Sequence, residues 1–234
     1  MSQALSLVIP TFNEAANVPR LLERLARALA AVPQDYELLV VDDDSPDGTW
    51  RVAEALRERY PQVRVLRRQA DRGGLARAVV DGWEAAHGEL LAVMDADLQH
   101  PPEVLRSLVG ALEDETVDIA IASRYLDGAG SWRGPRRWGS RAASRMAYLV
   151  LPAGARGVTD PLSGYFVLRR GVIHDAPLKP RGYKILLDVL ARGRYRRIVE
   201  IPYPFGTRVH GRSKVNAVVI LDYLRQLWDL SRAT

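Results

Sequence analysis

Short runs of aliphatic and β-branched residues alternate with helix-periodic stretches through the first half of this chain, and that alternation constrains the fold most. The runs occupy residues 5–10, 36–41, 63–66, 89–94 and 117–122. Between the first two, Val18, Leu21, Leu22, Leu25 and Leu29 recur at the three- and four-residue spacing of a helix with one buried face. Strands that are apolar along their whole length need cover on both faces, and strands joined through helices run parallel. The pattern therefore predicts an α/β fold, a mostly parallel sheet flanked by helices. Such sheets take ligands in the crevice beyond the carboxyl ends of their strands. The residues just after each strand are the candidates for function.

Beyond residue 123 the texture changes. A segment rich in Gly, Arg and Trp (125–139) leads to a helical stretch at 141–151, a strand at 165–168, a helix at 184–191 and a strand at 198–202. A polar loop at 206–214 then precedes an amphipathic helix at 215–230. No linker or internal repeat interrupts the 234 residues, so one domain over 1–234 is expected, with halves 1–123 and 124–234. Charge divides the same way. Residues 1–117 hold 20 acidic against 12 basic residues, and residues 118–234 hold 21 basic against 8 acidic. An acidic half joined to a basic half suits a cation site beside a phosphate or membrane contact.

Several classes are excluded. With no cysteine there is no disulfide scaffold, thiol nucleophile or iron–sulfur centre. No apolar run reaches the roughly 18–20 residues of a membrane-spanning helix, and the first residues lack the order of a signal peptide. A cytoplasmic location is the expectation. The pI near 9.7 is compatible with nucleic acid, but no DNA- or RNA-reading motif accompanies it, and no nucleic-acid partner is expected.

The strand exits carry the chemistry. Pro10-Thr11-Phe12-Asn13-Glu14 follows the first strand; its plain structural reading is a capping box, Thr11 capping a helix and Glu14 returning the hydrogen bond. Asp42-Asp43-Asp44-Ser45-Pro46-Asp47-Gly48 follows the second, with Asp47 a possible cap or turn former. Three adjacent carboxylates raise one another's pKa unless a cation, a ribose or a base edge offsets them. Asp95-Ala96-Asp97-Leu98-Gln99 follows the fourth strand, two carboxylates and an amide able to give hard oxygen ligands to Mg2+ or Mn2+. Arg124, after the fifth, faces the same crevice or pairs structurally with one of the carboxylates.

In order, PTFNE, VVDDDSPDGT, MDADLQHPPE, ASRY, DPLSGYF, GYKILLDVL and FGTRVHGRSK span residues 5–216 and closely resemble the family-2 glycosyltransferases of the GT-A fold, in particular the polyprenyl-phosphate (dolichyl-phosphate) mannosyltransferase group. The resemblance implies a GT-A, Rossmann-like sheet with acceptor-side and amphipathic helices toward the C-terminus. It implies that Pro10, Phe12, Glu14, Val41 and Asp43 cradle the nucleoside of a nucleotide sugar, GDP-mannose being favoured. It assigns Asp95, Asp97 and Gln99 to Mg2+ or Mn2+, with Ala96 beside the donor. Arg124 would contact donor or acceptor phosphate, Arg136 and Ser140 the lipid phosphate, and Arg208 and Lys214 would close over the phosphates. The catalytic set implied is Asp97, Arg124, Arg208 and Lys214. Two positions depart from the pattern: Phe12 stands where many relatives carry Tyr, and Val167 where relatives often carry Arg, so a charge facing phosphate or acceptor would be missing.

The chemistry agrees with that resemblance. A phosphate monoester is largely dianionic at neutral pH, its second pKa being about 6, so it is already a nucleophile and needs no general base. Direct displacement inverts the anomeric carbon. UDP-glucose as donor and a saccharide as acceptor stay open within the fold. A saccharide would want a carboxylate base, for which Asp160 is available, although a turn or cap suits an Asp-Pro better. A non-catalytic nucleotide or metal binder is the remote alternative.

A polyprenyl phosphate sits in a bilayer. Trp138, Ala142, Met146, Leu149 and Val150 form one helical stripe flanked by Arg137, Arg141 and Arg145, the pattern of an interfacial helix or of a core helix with a basic edge. The C-terminal helix has Ala217, Ile220, Leu221, Leu224, Leu227 and Trp228 on one side and Asp222, Arg225, Gln226 and Asp229 on the other, with core packing of the apolar side the default expectation and partial membrane contact the alternative. The expectation is peripheral attachment to the cytoplasmic face of a membrane, with a membrane-anchoring partner protein possible.

Overall fold

Seven strands form one sheet in the order β3-β2-β1-β4-β6-β5-β7. They are β1 (Leu5–Thr11), β2 (Tyr36–Asp42), β3 (Val63–Arg67), β4 (Leu90–Met94), β5 (Ile119–Ser123), β6 (Tyr165–Arg169) and β7 (Ile198–Pro202). The computed structural model describes residues 4–30, 35–68, 74–126, 135–207 and 217–232, without the side chains of 135–138 and 217. The helices are α1 (Val18–Leu29), α2 (Thr49–Ala55), α3 (Gly74–Ala85), α4 (Val104–Ala111), α5 (Pro135–Ala147), α6 (Ile185–Arg192) and α7 (Ala217–Ser231).

Side-chain alternation along the strands divides the core in two. Leu5, Leu7 and Ile9 of β1 pack with α1 and α4 on one face, where Val18, Leu21, Leu22, Leu25 and Leu29 are buried as their spacing foretold. Val8 of β1 points to the other face, with Val79 and Trp83 of α3, Leu186 and Leu190 of α6 and Leu230 of α7. Each fully buried Leu, Ile or Val contributes about 1.5–3 kcal/mol of transfer free energy, which is why both faces must be covered.

The sheet is parallel from β3 through β4 and between β5 and β7; β6 alone runs antiparallel, between β4 and β5. That reversal has a functional consequence. The start of β6, not its end, lies beside the carboxyl ends of β4 and β5, with Tyr165 opposite Met94. The segment 160–164 is thereby delivered to the ligand-binding edge by topology.

Three sequence expectations are corrected. The capping box does not form: Thr11 is the last residue of β1, its Oγ1 donating to Asp42 Oδ2 at 2.8 Å, and α1 begins only at Val18 with Asn17 before it. The basic helix is Pro135–Ala147 instead of 141–151, because proline suits a first helical position. Val167 is fully buried in mid-strand, opposite Ala92 and Ala120, so a residue there faces the core and the site lacks no charge on its account.

Candidate active site

Backbone strain marks the crevice. Four non-glycine residues have positive φ among the described residues, and three lie in the turns leaving β1, β2 and β4: Asn13 (56°), Asp44 (54°) and Leu98 (62°). Such conformations persist where surrounding contacts impose them, commonly at binding sites. Here the contacts are specific. Asn13 N donates to Ser45 Oγ, Glu14 N to Thr49 Oγ1, and Ala15 N to Asp47 Oδ2, so the β1 and β2 exits are laced together. Asp47 acts as a turn former, accepting from Thr49 N and Thr49 Oγ1, while Gly48 takes the position before α2.

The three successive aspartates are neutralised by protein, each differently. Asp42 is buried and accepts from Thr11 Oγ1, Ser45 N and Ser45 Oγ. Asp43 pairs with Arg68, a nearly buried guanidinium that also meets Asp81 at 2.8 Å; burial still leaves the Asp43 carboxyl above its ordinary pKa. Asp44 takes Arg67 Nε at 2.6 Å, and Arg67 in turn stacks over Trp50. Pro10 and Val41 are buried register partners on β1 and β2, and Phe12 is exposed at the crevice mouth. Glu14 is buried and its Oε2 accepts from Asn17 Nδ2. These five residues meet at one corner.

The β4 exit is the second corner. Asp97 is nearly buried and its Oδ1 accepts from Gln99 N at 3.0 Å; Ala96 beside it is buried. Asp95 has His100 Nε2 at 3.5 Å, and His100 Nδ1 shares a 2.9 Å hydrogen bond with the Tyr203 hydroxyl. Burial would raise the Asp95 pKa, but His100, Lys184 and Arg124 outweigh it and hold the carboxyl below its ordinary value. Two hard carboxylates suit a cation that keeps its remaining positions for phosphate oxygens. Among the described residues no group of three or more His, Cys, Asp or Glu is placed to hold a metal ion together.

Gly164 shapes this corner. A β-carbon on it would stand 2.5 Å from Asp95 Oδ2 and 3.0 Å from Asp95 Cγ, so only glycine lets β6 begin against the carboxylate. Gly164→Ala is expected to push Asp95 aside, lowering turnover by about 100-fold at a cost of about 1–3 kcal/mol in stability. Steady-state rates beside a denaturant melt check this; unchanged kcat would show that Asp95 needs no fixed position.

Arg124, at the β5 exit, makes a bidentate pair with Asp160: Nε to Oδ2 and Nη2 to Oδ1, both 2.7 Å, with Arg124 N also donating to Oδ2 at 3.1 Å. Asp160 is fully buried. Burial opposes the Arg124 charge, yet Asp160 holds the guanidinium pKa above its usual value. Asp160 is therefore neither an isolated turn former nor an available base. It is the anchor of Arg124.

Lys184 went unassigned at the sequence level. It precedes α6, and its Nζ donates to Leu162 O at 3.0 Å while feeling the carboxylates of Asp95, Asp160 and Asp97. Burial first, then the charge of Arg124, pulls its pKa below the ordinary lysine value. A lysine opening an otherwise apolar helix run was the available signal.

The remaining assignments are reached only in part. Ser140 lies on α5, its Oγ accepting from the Tyr125 hydroxyl at 2.7 Å, next to Arg124 in sequence. Arg136 belongs to the α5 backbone, but its side chain lies outside the described residues, as do Arg208 and Lys214 entirely. What precedes them is tied to the carboxylate turn: Gly206 N donates to Gln99 O at 2.8 Å and Gln99 Nε2 donates to Gly206 O at 3.0 Å. The Gln99 amide thus joins the β4 exit to the approach of the 208–214 segment.

Comparison with known proteins agrees with this arrangement. Residues 6–176 match the family described as glycosyl transferase family 2. The chain is 43% identical over 229 residues to a dolichol-phosphate mannosyltransferase of Pyrococcus furiosus, covering 97% of this chain and 63% of that protein. It is 35% identical over 242 residues to a dolichol-phosphate mannosyltransferase of Saccharomyces cerevisiae, covering 98% and 88%. The chain thus spans a little under two thirds of the length of the Pyrococcus relative. Among solved structures, glucosyl-3-phosphoglycerate synthase of Mycobacterium tuberculosis, in complex with Mn2+, uridine diphosphate and glucosyl-3-phosphoglycerate, aligns with a TM-score of 0.67 at 25% identity over 98% of this chain and 76% of that one. A family match over most of the sequence, and a sheet whose strand exits converge on paired carboxylates and half-buried cations, place this chain in glycosyl transferase family 2.

Proposed function

We propose that the chain transfers mannose from GDP-mannose to a polyprenyl phosphate of the dolichyl type, with inversion at the anomeric carbon. One observation carries the choice of acceptor. Asp160, the carboxylate placed where a base for a sugar hydroxyl could stand, is buried and bonded by both arms of Arg124. A crevice that offers cations, with Asp160 already occupied by Arg124, favours an acceptor that is itself anionic.

In this reading Pro10, Phe12, Glu14, Val41 and Asp43 hold the nucleoside, and Asp95, Asp97 and Gln99 hold Mg2+ or Mn2+, which supplies positive charge to the diphosphate. Arg124 and Lys184 stabilise phosphate charge from fixed positions, so little reorganisation is needed as the leaving group forms. Ser140 and Arg136 receive the acceptor phosphate; Arg208 and Lys214 close over the donor. The 234 residues act as one catalytic unit at the cytoplasmic face of a membrane, attached peripherally and open to an anchoring partner. Among the described residues no helix is long and apolar enough to cross a bilayer. Exposed Met146 at the end of α5, Leu149 in the turn after it and the exposed residues of α7 support such attachment.

The protein incubated with Mn2+ or Mg2+, GDP-mannose and a short polyprenyl phosphate should yield a mannosylated lipid phosphate of β configuration, identified by mass spectrometry and NMR. UDP-glucose should give far less product. Preferential transfer to a saccharide hydroxyl would overturn the assignment of acceptor.

A further inference from the structure

Helix α5 and the turn before β6 enclose a cleft of about 380 Å3. Arg141, Ser144 and Arg145 line it from one helical face, at three- and four-residue spacing, with Tyr148 just past the helix end; Arg156 lines the other side, and Tyr125, bonded to Ser140, borders it. Most arginines among the described residues are spent on carboxylates or carbonyls. In this cleft Arg156 donates only Nε, to Leu151 O at 3.2 Å, and Arg141 lies over the Tyr125 ring. Among the described residues no carboxylate pairs with Arg141, Arg145 or Arg156. The two carboxylates that meet this turn are taken, Asp160 by Arg124 and Glu200 by Thr159 and Asp160 N–H groups.

The cleft also holds an unmet need. Ser144 is 4% exposed, and its hydroxyl has no hydrogen-bond partner. A buried hydroxyl without a partner is costly unless a ligand supplies one. Three uncompensated guanidinium groups around such a hydroxyl suit a phosphate group, which accepts from all of them. Beside the basic face, Met146 of α5 and Leu149 of the turn after it are exposed, the latter 82%. Tyr223 of α7 donates to Ala143 O at 2.7 Å, fixing against α5 a helix whose Val218, Leu221, Leu224 and Trp228 are exposed. Phosphate-binding groups bordered by exposed apolar side chains match a lipid headgroup with its acyl chain.

We propose that this cleft is a second phosphate site, separate from the Arg124–Asp160 pair, that takes the headgroup phosphate of an anionic bilayer phospholipid. It builds on the preceding reading only in requiring a membrane, and its test involves neither sugar donor nor polyprenyl phosphate, so a failure of the transfer reaction leaves it readable. The intact protein is sedimented with phosphatidylcholine vesicles with and without phosphatidic acid. Wild type should bind the vesicles containing phosphatidic acid, and Arg145→Gln with Arg156→Gln should weaken that binding about 30-fold, from the loss of two charges near the surface. Both arginines are exposed, so the variant retains its fold, which a melt verifies. Arg20→Gln with Arg106→Gln removes the same charge from α1 and α4 and should weaken binding by about threefold or less. Equal losses in the two variants would mean diffuse attraction and would overturn the site. So would inorganic phosphate displacing the vesicles at matched phosphate concentration, since the cleft would then serve free phosphate.

Discussion

Asp97→Ala is expected to lower sugar transfer by about a thousandfold while costing only about 1 kcal/mol of stability. The two effects separate because of where the residue sits. Asp97 leaves a strand that is itself buried and well paired, and among its contacts is a local backbone hydrogen bond from Gln99 N. Removing it loosens a turn without opening the core. What is lost is negative charge at the point where a divalent cation is proposed to bridge protein and diphosphate. Calorimetric titration with Mn2+, alongside rates measured over a range of metal concentration, distinguishes this from a folding defect. Wild-type rates in the variant would remove Asp97 from the reaction.

Arg124→Ala has the largest expected effect on stability, about 3–5 kcal/mol, because it strands a fully buried carboxylate without the guanidinium bonded to it. For a chain of this size that lowers the melting temperature on the order of 10 °C. Adding Asp160→Asn removes the stranded charge, and the double variant should recover much of the lost stability. It should not recover turnover, because the proposed phosphate contact is Arg124 itself. Recovery of both would reduce the pair to scaffolding; recovery of neither would mean that the contacts of Arg124 with the Phe205 and Tyr125 rings dominate its structural role.

Why the first half of the chain could be read so closely is a matter of period. Strands buried on both faces have to be apolar at every position, and α1 has to bury Val18, Leu21, Leu22, Leu25 and Leu29 on one side, so the elements announce themselves locally. The acidic turns were legible for the same reason, since carboxylates directly after a wholly buried strand stand at an edge whatever the rest of the fold does. Lys184 was not legible. It stands in sequence almost ninety residues from Asp95, and only the packing of α6 brings its charge within reach of the β4 exit.

Helix α7 shows the limit most clearly. Its amphipathic pattern leads to an expectation of the apolar side inward and the polar side outward. The structure divides the helix along another line: Gln226 and Leu230 are buried, Gln226 Nε2 donating to Lys184 O, and Leu227 packs against the core, while Val218, Leu221, Leu224 and Trp228 face outward beside Arg225. Periodicity reports that a helix has two faces; it does not report which of them meets the protein.

From the amino-acid order alone came the alternation of elements, the parallel core of the sheet and the acidic strand exits, because each follows from interactions within a few residues. Tertiary packing alone decided that β6 runs backwards and sets Gly164 against Asp95, that Asp160 is occupied by Arg124, and that α7 buries Gln226 while Leu221, Leu224 and Trp228 face outward. Each of these depends on which distant segments compete for the same buried space, and that competition is resolved only when the whole sheet has closed.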